Sequence, residues 1–281
     1  MNVFNPNELR KLYQPSSDSS GEENGQVTII GGSKLFHGAP LFTLKVASRI
    51  VDMVFFASPE PSIGEVAKKI KSKLLSFIWV PWEEVSEYIK KSDSILIGPG
   101  FMSFRGEKDR SLVEETKEVT RSLLTKFPDK RWVIDAGSLQ VMDTEWIPNQ
   151  AILTPNRKEI EMLFGEKLDY DSEDLNIRLK GLAAKHKCII VFKGPKTLVC
   201  SSSECVLITN GNPGLTKGGT GDVLAGLTVA LLAKNEPFLA AASASFIAKS
   251  AADELHKKVG ISYNADDLAD KIPEIFNKLM L

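Results

Sequence analysis

Short apolar runs alternate with longer stretches of helical periodicity through most of this 281-residue chain. Strands covered by helices on both faces carry continuous apolar runs, because neither face meets water. The alternation therefore predicts an α/β fold with a mostly parallel central sheet. The predicted strands are Val27–Ile30, Met53–Ala57, Ser76–Val80, Ser94–Ile97, Trp132–Asp135, Ala151–Leu153 and Ile189–Phe192. The predicted helices between them are Leu41–Ile50, Glu65–Lys73, Glu83–Lys91, Asp109–Lys126, Glu159–Phe164 and Glu173–Lys187.

The two ends of the chain differ from this pattern. Thr197–Cys200 and Cys205–Ile208 are separated by a short Ser-rich turn, which predicts a hairpin. The C-terminal third then carries two apolar helices, Asp222–Ala233 and Pro237–Lys258. At the other end, residues 1–25 form an N-terminal arm and a polar loop. No other linker is visible, so residues 26–281 are predicted to be a single domain.

Charge and cysteine content narrow the class of protein. The chain has 35 Lys and Arg against 36 Asp and Glu, a net charge of −1, which gives no reason to expect nucleic acid or a membrane surface as a partner. Its longest apolar run, Val223–Ala233, is shorter than the roughly 18 residues of a membrane span. Three cysteines without regular spacing predict neither a disulfide framework nor a zinc site, and hence a cytoplasmic protein.

Unusual residues follow the predicted strands directly. They are Gly31-Gly32-Ser33, Gly98-Pro99-Gly100, Asp135, Thr154-Pro155-Asn156, Lys193-Gly194 and the stretch from Asn210 onward. Ligands of open α/β sheets bind beyond the carboxyl ends of the strands. The sequence therefore predicts a binding site at that edge.

The most informative stretch is NGNPGLTKGGTGDVLAG, residues 210–226. Its glycines at 218, 219 and 221 lead into a predicted helix, and a helix N-terminus offers unpaired N–H groups and a positive dipole end to an anion. The alternative is a flexible turn that Asp222 caps. Beside an anion, a carboxylate has a clear use if it takes the proton of a hydroxyl during phosphoryl transfer, so Asp222 is either a general base or a cap.

Gly211–Gly226 resembles the signature of the ribokinase-like superfamily, and within it that of the NAD(P)H-hydrate dehydratase family. Further elements resemble that family in the same order: IGGSKLFHGAP, IGPG, VIDAGSL, ILTPNRKE, FKGPKT and NADDLADKIP. The resemblance spans roughly residues 26 to 276. It implies a ribokinase-like three-layer α/β/α sandwich. It also implies repair of hydrated NADH and NADPH, in which ADP or ATP with Mg2+ phosphorylates the 6-hydroxyl and phosphate then leaves.

The resemblance also implies roles for residues. Asp222 matches the catalytic aspartate that contacts the hydrated nicotinamide, and the anion hole and the nucleotide-binding loop match two further stretches. The substrate positions are Ala39, Gly100 and Asn156. The anion hole is Gly218, Gly219, Thr220 and Gly221, of which Gly221 also touches the nucleotide, and the nucleotide-binding loop is Lys193, Gly194, Pro195, Lys196 and Thr197. From the residues alone, Lys193 is equally explained as a solvated lysine at a strand end.

Two departures from the family pattern keep alternatives open. Asn156 to Glu159 has the NxxE pattern of superfamily kinases, in which it supports magnesium through water, so Glu159 is an indirect metal candidate and a sugar or pyrimidine kinase remains a rival function. Gly137 replaces a usual aspartate.

A non-catalytic nucleotide sensor is the rival function from another class of protein. Bifunctional members of the family carry a separate epimerase domain upstream, and nothing like it fits before residue 26, so this chain is expected to lack the epimerase activity. The alanine-rich stretch Leu239–Ala252 is a packed helix or the interface of a homo-oligomer.

Overall fold

The computed structural model describes residues 2–103 and 110–280. Within them, ten strands form one sheet. The strands are β1 Asn2–Val3, β2 Gln26–Ile30, β3 Met53–Ala57, β4 Ile78–Trp79, β5 Ser94–Ile97, β6 Arg131–Ile134, β7 Ile152–Leu153, β8 Ile189–Phe192, β9 Thr197–Cys200 and β10 Cys205–Ile208. Their order across the sheet is β1-β10-β9-β8-β7-β6-β5-β2-β3-β4, and β9 alone among these strands runs antiparallel to both of its neighbours.

Helices cover both faces of the sheet. They are α1 Gly38–Ala47, α2 Ser62–Ile70, α3 Val85–Lys91, α4 Arg110–Lys126, α5 Ala136–Val141, α6 Arg157–Phe164, α7 Leu175–Lys185, α8 Thr220–Leu232, α9 Pro237–Val259 and α10 Ala265–Met280. One apolar core joins the sheet to α1, α2, α8, α9 and α10. A second core joins the opposite face to α3 through α7. The predicted three layers are therefore present, and none of the described helices is both long and apolar enough to cross a membrane.

The predicted strands and helices match this architecture, with shifts of a few residues at their ends. Asp109, where the sequence predicts the helix before β6 to begin, lies outside the described residues. Three of these strands and α-helices were not predicted: β1, the six-residue α5 and the long helix α10. In α10, Leu268, Ile272 and Ile275 share a buried face despite Pro273 inside the helix. The helical spacing of those side chains outweighs the hydrogen bond that the proline removes.

The N-terminal arm is part of the body of the fold. β1 pairs with β10, the edge strand of the hairpin. Phe4, Leu9 and Leu12 are buried in the core that includes α9 and α10. A 3-10 helix, Pro6–Lys11, brings Leu9 to that core. Residues 2–12 therefore extend the sheet and cover its helical layer.

Two of the three cysteines form a disulfide, which corrects the expectation drawn from their spacing. Cys200 and Cys205 are direct partners across β9 and β10, with their Cα atoms 4.1 Å apart. Residues that face each other in an antiparallel pair are close enough for this bond. Cys188 is buried and unpaired. The hairpin register creates the pairing, and cysteine counting could not supply that register.

Candidate active site

A cavity of about 660 Å³ lies at the carboxyl edge of the sheet. The residues that follow β6, β7, β8 and β10 line it, together with the N-terminus of α8 and one face of α9. Because β9 is antiparallel, its first residue, Thr197, also lies at this edge. The topology thus gathers into one cavity several of the stretches that the sequence places after its strands, as expected for ligand sites of open α/β sheets.

The N-terminus of α8 presents unpaired backbone donors to this cavity. Its N-cap is Gly219, with φ of +91°, and no side chain caps the helix. Across residues 2–103 and 110–280, no group accepts a hydrogen bond from the N–H of Gly218, Gly219 or Gly221. Thr220 differs, because its N–H and hydroxyl both donate to Lys217 O, at 3.4 and 2.9 Å. Three of the four predicted anion-hole residues therefore have free N–H groups, and Thr220 holds the turn together.

Glycine is required at position 219 for two reasons. A positive φ of this size is costly for other residues. A Cβ atom there would also lie 2.6 Å from Phe42 of α1 and 2.8 Å from Ala265 of α10. The turn is thus fitted closely against two neighbouring helices, which fixes the direction of the free N–H groups.

Asp222, in the first turn of α8, lines the cavity beside those N–H groups. Burial raises its pKa to about 7, the carboxylate of Asp135 acts in the same direction, and Lys193 opposes both. A carboxylate with a pKa near neutrality is well matched to accept a proton from a hydroxyl. The position and the chemistry of Asp222 both suit a general base.

A cluster of charged side chains stands next to Asp222. Lys193, directly after β8, donates to Asp135 Oδ1 at 2.7 Å and lies 3.9 Å from Glu159 Oε2. Burial lowers the pKa of Lys193, but these carboxylates outweigh it and raise the pKa overall. Thr154 Oγ1 also donates to Asp135, at 2.8 Å. Lys193 is therefore a charged, ion-paired residue of the cavity with 20% of its side chain exposed, and not a solvated lysine at a strand end.

The loop that follows Lys193 lines the same cavity. Gly194, Pro195 and Thr197 face it, whereas Lys196 is exposed and lies outside its lining. The Tyr170 hydroxyl donates to the carbonyl of Lys193, and its ring stacks on Phe192. A Cβ atom at position 194 would lie 2.2 Å from that ring. Tyr170 thus fixes the start of the predicted nucleotide-binding loop, a contact that the sequence alone did not reveal.

The N-terminus of α6, at the same edge, is capped by its own side chains. The Asn156 side chain accepts from the N–H of Lys158 and Glu159, and Glu159 Oε2 accepts from the N–H of Asn156. The other Glu159 oxygen accepts from Gln140. Asn156 lines the cavity and Glu159 does not. The NxxE stretch is therefore a capping box here, and the substrate and metal roles of these two residues stay predictions.

The other two predicted substrate positions lie together, outside the lining of this cavity. Gly100 has a φ of +74°, and a Cβ atom there would lie 3.3 Å from Cβ of Ala39 and 2.6 Å from the Phe36 carbonyl. The loop after β5 thus packs against the start of α1. The structure pairs Ala39 with Gly100 but does not bring them into the cavity that Asp222 lines.

Comparison with known proteins identifies the family of this chain. The family model for NAD(P)H-hydrate dehydratases matches residues 27–274. The chain belongs to that family. An ADP-dependent (S)-NAD(P)H-hydrate dehydratase of Cenarchaeum symbiosum is 30% identical over 281 residues, which cover 97% of this chain and 96% of that one. This family membership agrees with the order of motifs in the sequence.

Other members of the NAD(P)H-hydrate dehydratase family are longer. A bifunctional NAD(P)H-hydrate repair enzyme of Methanocaldococcus jannaschii is 36% identical over 279 residues, covering 95% of this chain and 51% of that protein. The chain thus spans about half the length of such relatives. Solved structures match as well. The ADP/ATP-dependent NAD(P)H-hydrate dehydratase of Bacillus subtilis, co-crystallised with ATP and Mg2+, superimposes with a TM-score of 0.80 at 22% identity. The match covers 99% of this chain and 98% of that one.

A ribokinase-like protein of Enterococcus faecalis has a TM-score of 0.81 at 21% identity, covering 99% of this chain and 96% of its own. At these identities the likeness concerns the fold alone. It confirms the predicted ribokinase-like α/β architecture of this NAD(P)H-hydrate dehydratase family member.

Proposed function

We propose that this chain dehydrates hydrated NADH and NADPH, with ADP or ATP as the phosphoryl donor. The observation that carries the proposal is the placement of Asp222, with a pKa of about 7, beside the free N–H groups at the start of α8. A general base and an anion site are the two parts that phosphoryl transfer to a hydroxyl requires. Two relatives that this chain matches over nearly their whole length are named ADP-dependent dehydratases, which favours ADP as the donor for this chain.

In the proposed reaction, the Asp222 carboxylate accepts the proton of the substrate 6-hydroxyl. That oxygen forms a bond to the terminal phosphorus, while the bond from phosphorus to the nucleotide oxygen breaks. The N–H groups of Gly218, Gly219 and Gly221 donate to the oxygens of the transferring group. The carbon–oxygen bond then breaks with its electron pair going to phosphate, the ring nitrogen lone pair assists, and the neighbouring carbon loses a proton to restore the double bond.

The donor set near Asp222 is compatible with Mg2+ held mainly by the nucleotide. Asp135 and Asp222 line the cavity and offer carboxylate oxygens, the type of ligand that Mg2+ prefers. Both oxygens of Glu159 already accept hydrogen bonds, so this residue would reach the ion only through water. No group of three or more acidic, His or Cys side chains suited to a metal occurs among the described residues. When bound, the ion would neutralise charge on phosphate oxygens.

The remaining roles extend the same proposal. Lys193–Thr197 would hold the nucleotide, since most of this loop lines the cavity with Gly221. Asn156, Ala39 and Gly100 would contact the hydrated dinucleotide, which must then extend from the cavity toward the loop after β5. A cytoplasmic location, residues 26–281 as a single domain and a possible homo-oligomer stay predictions from the sequence.

The proposal is tested by incubating the protein with hydrated NADH and either ADP or ATP. We expect the absorbance of the reduced nicotinamide to return with at least one nucleotide and not without one. The control is Asp222→Asn, which is expected to bind nucleotide but to turn over at least about a hundredfold more slowly. Folded wild-type protein that restores no absorbance with either nucleotide would rule the proposal out.

The same assay separates the rival functions. A sugar or pyrimidine kinase would leave a stable phosphorylated product and would not regenerate reduced nicotinamide. A nucleotide sensor would bind ADP and consume none. Quantifying the nucleotide products beside the absorbance therefore assigns the chain to one of the three.

A further inference from the structure

Helix α9 contacts two loops of the cavity through a pair of oppositely charged residues one turn apart. Lys249 Nζ donates to the carbonyls of Gly194 and Pro195, at 3.3 and 2.8 Å. Asp253 accepts from the N–H of Gly211 at 2.9 Å and from the Asn212 side chain at 3.0 Å. Each charge thus meets groups of the matching kind: a cation meets carbonyls and an anion meets N–H donors.

The position of Lys249 is energetically unfavourable for a lysine, because its ammonium group is buried. The residue is only 6% exposed, and it lines the cavity. Burial lowers its pKa to about 8, although the Asp253 carboxylate acts in the opposite direction. A lysine is rarely buried to this extent without an ion-pair partner. Neutral carbonyls of a binding loop are its hydrogen-bond partners instead.

The stem of Lys249 also shapes the second loop. A Cβ atom at position 211 would lie 3.1 Å from both Cγ and Cδ of Lys249, so the stem packs directly against Gly211. Gly211 has a φ of +105°, which glycine adopts readily. Asn212 is held further, because its Oδ1 accepts from Gly214 N at 3.0 Å and from the Tyr263 hydroxyl at 2.8 Å.

The two loops that Lys249 and Asp253 contact follow different strands of the sheet. Gly194 and Pro195 follow β8, whereas Gly211 and Asn212 follow β10, and β9 lies between these strands in the sheet. All four residues line the cavity. The separation of the loops sets the width of the cavity at this end, and α9 is bonded to both.

We propose that Lys249 and Asp253 are positioning residues that hold these two loops at the separation an adenine nucleotide needs. The proposal deepens the proposed function, since it rests on this cavity being the nucleotide site. Neither residue is assigned a part in the chemistry. Their loss should therefore weaken nucleotide binding and leave the transfer step nearly unchanged once the site is saturated.

The test measures ADP binding by titration calorimetry, without the hydrated dinucleotide. Lys249→Met keeps the stem and removes the ammonium, and we expect the Kd for ADP to rise at least about tenfold, as for loss of charge-assisted hydrogen bonds. Lys249→Arg should recover part of that loss, because it keeps the charge and the donors. The matched control is Lys257→Met on the same helix, whose exposed ammonium pairs with Glu254, and its Kd should equal that of the wild type.

Further measurements exclude a general loss of structure. Asp253→Asn is expected to raise the Kd, and the double variant with Lys249→Met should be weaker than wild type by less than the product of the two single effects, because both residues act on the same pair of loops. In turnover assays, KM for ADP should rise while kcat stays within about threefold of the wild type. Thermal unfolding of each variant reports whether the fold is intact.

An unchanged Kd in folded Lys249→Met and Asp253→Asn proteins would overturn the positioning role, as would a fall in kcat without a change in KM. If Lys249→Met does not fold, Lys249→Arg and Asp253→Asn still decide the question. These outcomes differ from failure of the proposed function, in which the wild type binds ADP but regenerates no NADH. If the wild type binds no ADP, the same titrations are made with ATP, and a wild type that binds neither nucleotide would remove both proposals.

Discussion

Two helices begin at the same edge of the sheet and meet the same cavity, yet their N-termini are built differently. At α6, Asn156 and Glu159 form a capping box whose side chains accept from the N–H groups of Asn156, Lys158 and Glu159. At α8, Gly219 offers no side chain, and the N–H groups of Gly218, Gly219 and Gly221 have no acceptor in the described parts of the chain. Every helix start has a similar set of unpaired donors. The residues around the N-cap decide whether those donors stabilise the fold or remain free for a ligand.

The carboxylates in the first turns of α8 and α6 also differ in whether they are engaged by the fold. The first turn of α8 carries Asp222, whose pKa is raised because burial and the nearby Asp135 carboxylate disfavour its ionised form. The first turn of α6 carries Glu159, whose pKa burial also raises, but whose oxygens are already engaged by Asn156 and Gln140. One carboxylate is therefore available to a ligand and the other is part of the fold.

The largest effect is expected from Asp222→Asn. Turnover should fall at least about a hundredfold, because the variant cannot accept the proton of the attacking hydroxyl. Affinity for ADP should stay within about threefold of the wild type, because the N–H groups of α8 remain. Steady-state kinetics and calorimetry check the two halves separately. Turnover equal to that of the wild type would show that Asp222 is not the general base. The start of α8 would then carry no carboxylate with a catalytic role, as is the case at α6.

Gly219→Ala tests the close fit of the α8 turn. The added methyl group would clash with Phe42 and Ala265 at a positive φ, so the free energy of unfolding should fall by about 2 kcal/mol. Gly218→Ala is the control, because a Cβ atom there meets nothing within 4 Å. Urea unfolding measures both. Equal stability of the two variants would contradict the argument that Gly219 fixes the turn.

The pKa of Asp222 predicts how stability changes with pH. Its pKa in the folded state, about 7, exceeds the usual 3.8, so the folded state holds this proton more tightly. The resulting stabilisation is complete below about pH 4 and is lost as the pH rises through 7. Asp222→Asn lacks this dependence. Its free energy of unfolding relative to the wild type should therefore rise by roughly 4 kcal/mol between pH 4 and pH 8.

Urea unfolding of both proteins at several pH values measures that difference, since contributions from other groups cancel. A difference that shrinks as the pH rises would show that the carboxylate is stabilised in its ionised form. The same pKa predicts that kcat/KM rises with pH through about 7, because only the carboxylate form accepts a proton.

The smallest effect is expected at α6. Asn156→Ala should lower the free energy of unfolding by about 1 kcal/mol, the usual cost of losing an N-cap. Asn264→Ala is a matched control, because Asn264 exchanges similar hydrogen bonds with Asp267 at the start of α10, outside the lining of the cavity. If Asn156 also contacts substrate, only its variant raises KM for the hydrated dinucleotide. Equal KM values would leave Asn156 with the capping role alone.

Much of the architecture could be predicted from local patterns. Continuous apolar runs such as Ser94–Ile97 and Ile189–Phe192 predicted strands of the parallel sheet, and the structure contains both with those bounds. The stretches that follow the strands predicted the edge at which the cavity lies. Among the missed elements, β1 has only two residues and exists because β10 offers it an unpaired edge.

The prediction of the site was less complete, for physical reasons that differ between residues. The NxxE pattern at Asn156 has both a metal-supporting and a capping interpretation, and only the hydrogen bonds show that the cap is formed. Lys249 lies in an alanine-rich helix with no motif around it, so its contacts with Gly194 and Pro195 follow from the packing of α9 alone. Tyr170 was missed because its loop reaches Lys193 only through tertiary folding.

The sequence by itself determined the layered α/β fold, the edge that carries the site and the stretch around Asp222, because these depend on periodicity and on glycine at particular positions. The tertiary structure decided which N–H groups stay free, how far the pKa of Asp222 rises and how α9 holds the loops of the cavity. Those properties depend on burial and on distances between residues far apart in the chain, which no local pattern encodes.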